Sequence, residues 1–302
     1  GVTILDTPGD SNFSSEAILG MKSADNALFV IDAIDSIKPH SENLWGLASK
    51  EGLARFCFIN KMDRERADFD QVLADISEQF EIKPLVLTLP IGAEDSFKGV
   101  VDVLKKKAYL YEKDGSGKFS ESEIPADMKD KAEEVYGKVV EDLAEVDDAL
   151  MEKYLEGGEL TPDELASALS AGLAQGVFLP VFAGSAILNM GVQPLMDFIN
   201  SSGLSPDKRP LPEPENKQGE KRALKAAEDE PFCGYVFKTM SDPYTGTLSV
   251  IRCYSGTLKP DSSVFNSSRD IKERIGTLLL LEGKAQKPVE EVGPGDIFAI
   301  AK

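Results

Sequence analysis

Two short polar strings carry the residue types that could do chemistry in this chain of 302 residues. They are Asp6-Thr7-Pro8-Gly9 and Asn60-Lys61-Met62-Asp63. A carboxylate such as Asp6 or Asp63 can hold a divalent cation or accept hydrogen bonds from paired N–H donors. A glycine amide can approach an anion that a side chain would crowd. Taken singly, each string could also be only a turn at the end of a strand.

The surrounding pattern places both strings at strand ends. The predicted buried strands cover residues 2–5, 27–32, 55–60 and 177–183. The predicted helices cover residues 13–24, 41–50, 69–80 and 192–199. Alternating strands and helices are typical of a parallel α/β sheet, which binds ligands beyond the carboxyl ends of its strands. The last strand ends in Gly184-Ser185-Ala186, so three polar segments are expected at one edge of the sheet.

Composition excludes several classes of site. His40 is the only histidine, which argues against a Ser-His-Asp or Cys-His triad and against most zinc sites. The 33 Lys and Arg residues against 52 Asp and Glu residues give a net charge of −19. We therefore expect no DNA partner and no broad RNA-binding face, because phosphate neutralisation needs clustered basic residues. A well-solvated acidic surface is the simplest explanation of the charge.

The apolar runs and the cysteines indicate the cellular location expected for the protein. The apolar runs are far shorter than the roughly 18 residues of a membrane-spanning helix, so no membrane partner is expected. The three cysteines are odd in number and widely spaced, which fits a reducing cytoplasm better than a disulfide framework.

The chain resembles the translational GTPases, most closely the elongation factor G family, nearly from end to end. The motifs that carry the resemblance are Asp6-Thr7-Pro8-Gly9, Asn60-Lys61-Met62-Asp63-Arg64, Ile91-Gly92-Ala93-Glu94, Gly99-Val100-Val101-Asp102, Gly184-Ser185-Ala186, Gly191-Val192-Gln193-Pro194, Asp242-Pro243-Tyr244 and Tyr254-Ser255-Gly256. The resemblance implies a P-loop-type α/β GTPase domain, truncated at its N-terminus and carrying an α+β insert, followed by an antiparallel β-barrel domain. It also implies a GTPase that acts on the ribosome to drive translocation or a related step.

The same resemblance implies GTP or GDP and Mg²⁺ as ligands. Asp63 would accept hydrogen bonds from the N1–H and the exocyclic amine of guanine, a pair of donors that adenine lacks on that edge. Asn60 would hold the loop and contact the guanine ring, and the aliphatic stem of Lys61 would cover the base. The amides of Ser185 and Ala186 would contact guanine O6. At the phosphate end, Asp6 would bind Mg²⁺ and the amide of Gly9 would contact the γ-phosphate.

We expect the GTP-binding domain at residues 1–202, a Pro-rich linker at 203–231 and the barrel at 232–302. The insert, at about residues 82–177, is predicted to contain strands up to 111, one long helix at 125–156 and a second helix that starts with the capping box Thr161-Pro162-Asp163-Glu164. The Gly-Lys pair at residues 117–118 is interpreted as a hairpin turn, because Glu112 and Phe119 do not fit a phosphate loop. The predicted barrel strands are 232–240, 247–254, 262–266, 272–281 and 296–301.

Two surfaces can each be interpreted in two ways. Residues 124–159 hold twelve acids against four lysines, a net charge of −8. This stretch could be a solvated helix face or a docking surface for a ribosomal stalk protein. Likewise, the barrel could be purely structural or could touch ribosomal RNA at the factor-binding site of the ribosome.

Two departures from the family pattern affect the expected activity. Asp10, the candidate catalytic residue, stands where the family usually has the histidine that positions the attacking water, so hydrolysis should be slower or differently organised. This change suggests a divergent paralogue. The chain begins directly in a predicted apolar strand, so we expect an internal fragment, cut before Gly1 and after Lys302. No phosphate loop or first switch precedes Asp6, so this fragment should bind GTP poorly and hydrolyse little.

The alternatives are a ribosome-protection factor and a ribosome-binding scaffold with slow or absent hydrolysis. Asp10 favours a scaffold slightly, whereas Asn60, Lys61 and Asp63 argue against one, because a scaffold has no need to specify guanine.

Overall fold

The computed structural model describes residues 1–215, 219–242 and 246–301. Pro243 and Tyr244 of the motif quoted above, and Lys302, lie outside the described residues. The chain forms two compact units, one of Asn26–Leu204 and the other of Gly1–Asp25 with Ser205–Lys302. The first 25 residues of the predicted 1–202 domain are grouped with the second unit, and the domain boundaries stay a prediction.

Seven α-helices are present in the described residues. They are α1 (Ser14–Ser23), α2 (Pro39–Lys50), α3 (Phe69–Gln79), α4 (Lys129–Ala144), α5 (Asp148–Leu155), α6 (Pro162–Gln175) and α7 (Val192–Ser202).

The unit of residues 26–204 contains eight strands. They are β1 (Asn26–Asp32), β2 (Ala54–Asn60), β3 (Lys83–Val86), β4 (Thr88–Ile91), β5 (Gly99–Asp102), β6 (Lys107–Tyr111), β7 (Phe119–Ser122) and β8 (Phe178–Ala183). A parallel sheet has the order β1-β2-β8-β3, and an antiparallel sheet of the insert has the order β4-β5-β6-β7. The predicted parallel α/β class, with its insert, is confirmed.

The parallel register brings the strand ends to one edge of the sheet. Asp32 lies opposite Asn60 on β1 and β2, and Ile59 lies opposite Ala183 on β2 and β8. Beneath this edge β2 and β8 are buried along almost their whole length. Phe198 of α7 packs against Phe56 of β2 and Phe182 of β8, which joins the two strands through one aromatic cluster.

The prediction that β1 is fully buried is wrong. Phe29 and Ile31 are buried, whereas Leu28 and Val30 are 40% and 56% exposed. The alternation arises because successive side chains of a strand point to opposite faces of the sheet and only one face of β1 is covered. Its inner face packs against Trp45 of α2, so alternate side chains point away from that cover.

The predicted strand at residues 2–5 is also wrong. Residues 1–9 have no regular secondary structure, and Val2 and Ile4 are 59% and 83% exposed. An apolar run becomes a strand only when a neighbour pairs with its backbone. No strand in the described part of the chain pairs with these residues.

The insert differs from its prediction in one helix. The long helix predicted at residues 125–156 is two helices, α4 and α5, because Asp147 starts a new one. Its carboxylate accepts hydrogen bonds from the amides of Ala149 and Leu150 at 2.9 and 3.1 Å. The predicted capping box at α6 is confirmed by reciprocal bonds between Thr161 and Glu164. The hairpin turn predicted at residues 117–118 joins β6 to β7.

The strands of the second unit are antiparallel, as predicted. They are β9 (Cys233–Asp242), β10 (Gly246–Ser255), β11 (Ser263–Asn266), β12 (Ile271–Arg274), β13 (Leu278–Glu282), β14 (Ala285–Val289) and β15 (Ile297–Ala301). Five form a sheet of order β14-β13-β15-β10-β9, and β11 pairs with β12. The strand predicted at 272–281 is divided between β12 and β13, and the sequence prediction missed β14, whose apolar residues are few.

Helix α1 is attached to β10 within this unit. The Arg252 guanidinium, 5% exposed, donates through Nη2 to both carboxylate oxygens of Asp25 at 2.8 and 2.7 Å. The Tyr254 hydroxyl donates to the carbonyl oxygen of Lys22 at 3.0 Å. Two side chains of β10, two residues apart, therefore hold the chain at the C-terminal end of α1.

Within residues 1–215, 219–242 and 246–301, every helix is too short or too polar to cross a membrane.

Candidate functional site

Asn60 joins two of the strand ends at the edge of the parallel sheet. Its Oδ1 accepts hydrogen bonds from the backbone N–H of Lys61 and from that of Ala186, both at 2.8 Å. The loops that follow β2 and β8 are thereby connected through one side chain. This geometry agrees with the loop-tying role expected of Asn60.

The loop after β8 approaches the end of β2 closely. The amide of Met62 donates to the carbonyl oxygen of Gly184 at 3.1 Å, and the amide of Gly184 donates to that of Ile59 at 3.0 Å. A Cβ atom at Gly184 would lie 2.3 Å from the carbonyl oxygen of Met190. Only glycine therefore permits this approach.

Asp63 lies on the same loop and has a carboxylate oxygen without a partner. Its side chain is 14% exposed, and Oδ2 lies 3.6 Å from Nε of Arg64. Oδ1 is buried and accepts no hydrogen bond within the described residues. A buried polar atom normally has a partner, so Oδ1 of Asp63 is an acceptor that no group in the described residues uses. The chemistry fits a base edge that presents N–H donors.

Lys61 is held by a residue that the sequence reasoning did not select. Its ammonium donates to Oδ2 of Asp32, at the end of β1. Burial would raise the pKa of the Asp32 carboxyl, but hydrogen bonds from Lys61 and from the amides of Ile34 and Asp35 lower it below its ordinary value. Asp32 could have been found from sequence, because it ends a strand as Asn60 does.

The two amides expected at guanine O6 have partners within the protein. The amide of Ser185 donates to the carbonyl oxygen of Met190 at 3.0 Å, and the amide of Ala186 donates to Asn60. An O6 contact would require these amides to share or exchange their acceptors. The role of Ser185 and Ala186 at O6 stays a prediction.

Asp6, Gly9 and Asp10 belong to the other compact unit. All three are exposed, and Asp6 and Gly9 lie in the segment without regular secondary structure. Among the described residues there is no cluster of His, Cys, Asp or Glu that could hold a metal ion. Mg²⁺ usually takes only one or two protein ligands together with waters and phosphate oxygens, so the role of Asp6 stays a prediction.

The Asp10 side chain caps a local turn, and its catalytic role stays a prediction. Its carboxylate caps a turn of 3₁₀-helix at Ser11–Phe13 by accepting from the amide and the side-chain nitrogen of Asn12, both at 2.8 Å. This arrangement accounts for an aspartate at this position without any ligand.

The chain matches two protein-family models. Residues 1–202 match the family described as "Elongation factor Tu GTP binding domain", and residues 231–302 match "Elongation factor G domain 2". Elongation factor G of Aquifex pyrophilus is 41% identical over 301 residues, which cover 99% of this chain and 43% of that relative. A crystal structure of a protein from Thermus thermophilus superposes with a TM-score of 0.84 at 29% identity, covering 98% of this chain and 41% of the other.

The chain thus spans less than half of the length of either protein. The matched family regions take in both Asn60-Lys61-Met62-Asp63 and the antiparallel strands of the second unit. With its α/β fold, its strand-end loops and these matches, the chain belongs to the elongation factor G family of translational GTPases.

Proposed function

We propose that the complete gene product is a translation elongation factor that binds GTP and GDP and hydrolyses GTP on the ribosome, to drive translocation or a related step. The observation that carries the proposal is the buried Oδ1 of Asp63, which has no partner in the described residues. Family membership and the 41% sequence identity to an elongation factor G support the same conclusion.

The chemistry of base selection follows from Asp63. The N1–H and exocyclic amine of guanine are adjacent donors that match the two oxygens of one carboxylate. Adenine cannot replace guanine there, because its corresponding edge presents an acceptor at N1. Asn60 holds the two loops together, and the stem of Lys61 can cover the base while its ammonium stays on Asp32.

The residues proposed to contact the phosphates of the nucleotide are inferred from the sequence alone. We assign the γ-phosphate contact to Gly9 and Mg²⁺ binding to Asp6 on the family motif that both residues share. The metal would neutralise phosphate charge when bound.

The ribosome is the proposed partner, and the cytoplasm the proposed location. The acidic residues of α4 and α5 support docking of a ribosomal stalk protein, since many face solvent: the Glu133 side chain is 70% exposed. We assign ribosomal RNA contacts to the second unit on its family match. If charge reversal along residues 133–148 leaves ribosome-stimulated turnover unchanged, the acidic docking surface is abandoned.

The decisive experiment exchanges the base specificity of the complete gene product. In Asp63→Asn, the amide can donate to the C2 carbonyl of xanthine and no longer accepts both donors of guanine. We expect GDP affinity to fall about a hundredfold or more and xanthosine diphosphate affinity to rise, as measured by calorimetric titration.

Asp95→Asn is the matched control, because Asp95 is an exposed carboxylate of the same unit. It should leave both affinities unchanged. If Asp63→Asn binds GDP as the unchanged protein does, guanine is not recognised at this site and the proposal is wrong.

A further inference from the structure

The turn after β4 has no role in the function proposed above. It contains Ile91-Gly92-Ala93-Glu94, one of the motifs quoted for the family resemblance. In the structure this turn contacts the loop that carries Asp63, and the contact is made by Glu94 through both its backbone and its side chain.

Glu94 is bonded to both ends of that loop. Its backbone N–H donates to the carbonyl oxygen of Met62 at 2.8 Å. Its Oε1 accepts from the backbone N–H of Arg66 at 2.7 Å. Met62 directly precedes Asp63, and Arg66 follows three residues later, so Glu94 spans the segment in which Asp63 sits.

The backbone on both sides of the contact is in an uncommon conformation. φ is 54° at Glu94 and 66° at Arg66, in the left-handed region that non-glycine residues adopt only at an energetic cost. The turn is also tight, because a Cβ at Gly92 would lie 2.3 Å from the carbonyl oxygen of Ser96. Such strain persists where surrounding contacts maintain it and is concentrated at functional sites.

The orientation of Asp63 depends on this backbone. Its Oδ1 has no hydrogen-bond partner in the described residues, and the Arg64 guanidinium lies 3.6 Å from Oδ2. The protein therefore aims the carboxylate mainly through the loop itself. On one side the buried Met62 bonds to Gly184, and on the other side Glu94 holds the loop.

We propose that Glu94 is a positioning residue that aligns Asp63 with the guanine base through the backbone of residues 62–66. The inference rests on the proposed binding of a guanine nucleotide at Asp63. It adds a residue of the insert to the determinants of base selectivity.

The test compares GDP with inosine diphosphate, which lacks the exocyclic amine, in the complete gene product. Misalignment of Asp63 should affect the nucleotide with both donors more strongly. For Glu94→Ala we expect GDP affinity to fall about tenfold and inosine diphosphate affinity to fall less than about threefold, so the preference for GDP narrows.

Two further variants separate positioning from folding. Glu94→Gln keeps an oxygen acceptor for the Arg66 amide and should stay within about twofold of the unchanged protein. Glu94→Gly keeps the backbone N–H, suits a positive φ and should reproduce the effect of Glu94→Ala even if the alanine variant folds poorly. The control is Asp95→Ala, which removes the neighbouring exposed carboxylate and should change neither affinity.

Equal losses for the two nucleotides in both Glu94→Ala and Glu94→Gly, or no loss in either, would overturn the inference. The Asp63→Asn variant is titrated alongside. If Asp63→Asn lowers GDP affinity and the Glu94 variants do not, only the role of Glu94 fails. If Asp63→Asn has no effect, the proposed function itself fails.

Discussion

The Oδ1 atom of Asn60 accepts a hydrogen bond from the amide of Ala186, a residue 126 positions further along the chain, at 2.8 Å. This one bond joins the loops that follow β2 and β8. The loop that carries Asp63 and the loop that follows β8 are therefore held together before any ligand binds. Such preorganisation lowers the entropy cost of binding.

Removal of the Asn60 side chain should weaken nucleotide binding. Asn60→Ala loses two hydrogen bonds at a net value of about 1 kcal/mol each. Because GDP binding must then order the two loops itself, GDP affinity should fall by up to about thirtyfold. Calorimetric titration of the complete gene product measures this loss. Asn200→Ala, at a position of α7 away from these loops, is the control and should bind as before. An unchanged affinity in Asn60→Ala would contradict the tie between the loops.

The ion pair between Asp32 and Lys61 should make stability depend on acid pH. The folded-state pKa of Asp32 is lowered from 3.8, so its contribution is present above that value and is lost as pH falls through the folded pKa. Asp32→Asn should lower the free energy of unfolding at pH 7 by about 1 kcal/mol, a modest value because Lys61 meets solvent.

Urea unfolding measured between neutral and acid pH tests this expectation. The difference between Asp32→Asn and the unchanged protein should shrink below pH 3.8. Asp35→Asn serves as the control, because the pair of Asp35 with Lys38 is exposed on both sides and should contribute little at any pH. If the difference in unfolding free energy stays constant with pH, the charge of Asp32 does not contribute to stability.

Asp10 should limit the rate of GTP hydrolysis. A carboxylate near a polyanionic phosphate is electrostatically unfavourable, whereas an imidazole can orient the attacking water. In the complete gene product with ribosomes, Asp10→His should hydrolyse GTP about tenfold faster or more. Asp10→Asn keeps the helix cap and removes the charge, so it separates the two effects. Equal rates for aspartate and histidine would refute this explanation.

The three cysteines should differ in reactivity. Cys57 and Cys253 are buried, and desolvation raises the pKa of both thiols, that of Cys253 to about 12. Desolvation also raises the pKa of the Cys233 thiol, but this side chain is only partly buried and therefore accessible to reagent. Iodoacetamide labelling read by mass spectrometry should modify Cys233 first and the other two only after unfolding. Early labelling of Cys57 would mean that β2 opens in the native state.

Periodicity was sufficient to predict the elements whose stability comes from their own apolar face. The runs at residues 55–60 and 177–183 are largely buried on both faces, and both became strands of the parallel sheet. The run at residues 2–5 is similarly apolar and forms no strand, because a strand also needs a paired neighbour. The break between α4 and α5 depends on a single cap at Asp147. The apolar stripe continues through both helices, so the sequence pattern predicts one helix there.

The sequence predicts only those residues of the candidate site that would face the ligand. Asn60, Lys61 and Asp63 stand together in one string, and their residue types suggest what they could bind. Asp32 and Glu94 lie about thirty residues away on either side, and only the folded sheet brings them to that string. Their contacts depend on strand register and on a turn with a positive φ, neither of which composition or spacing reveals.

The bond between Asp25 and Arg252 has a consequence for domain exchange. These residues fall in the two separately matched family regions, 1–202 and 231–302, yet their side chains form one buried ion pair. A chimaera that takes each region from a different relative inherits both partners only if both parents carry them. Loss of Asp25 alone would leave a buried guanidinium without its counter-ion, at a cost of about 3 to 5 kcal/mol. Recombination between members of this family therefore has to preserve positions 25 and 252 together.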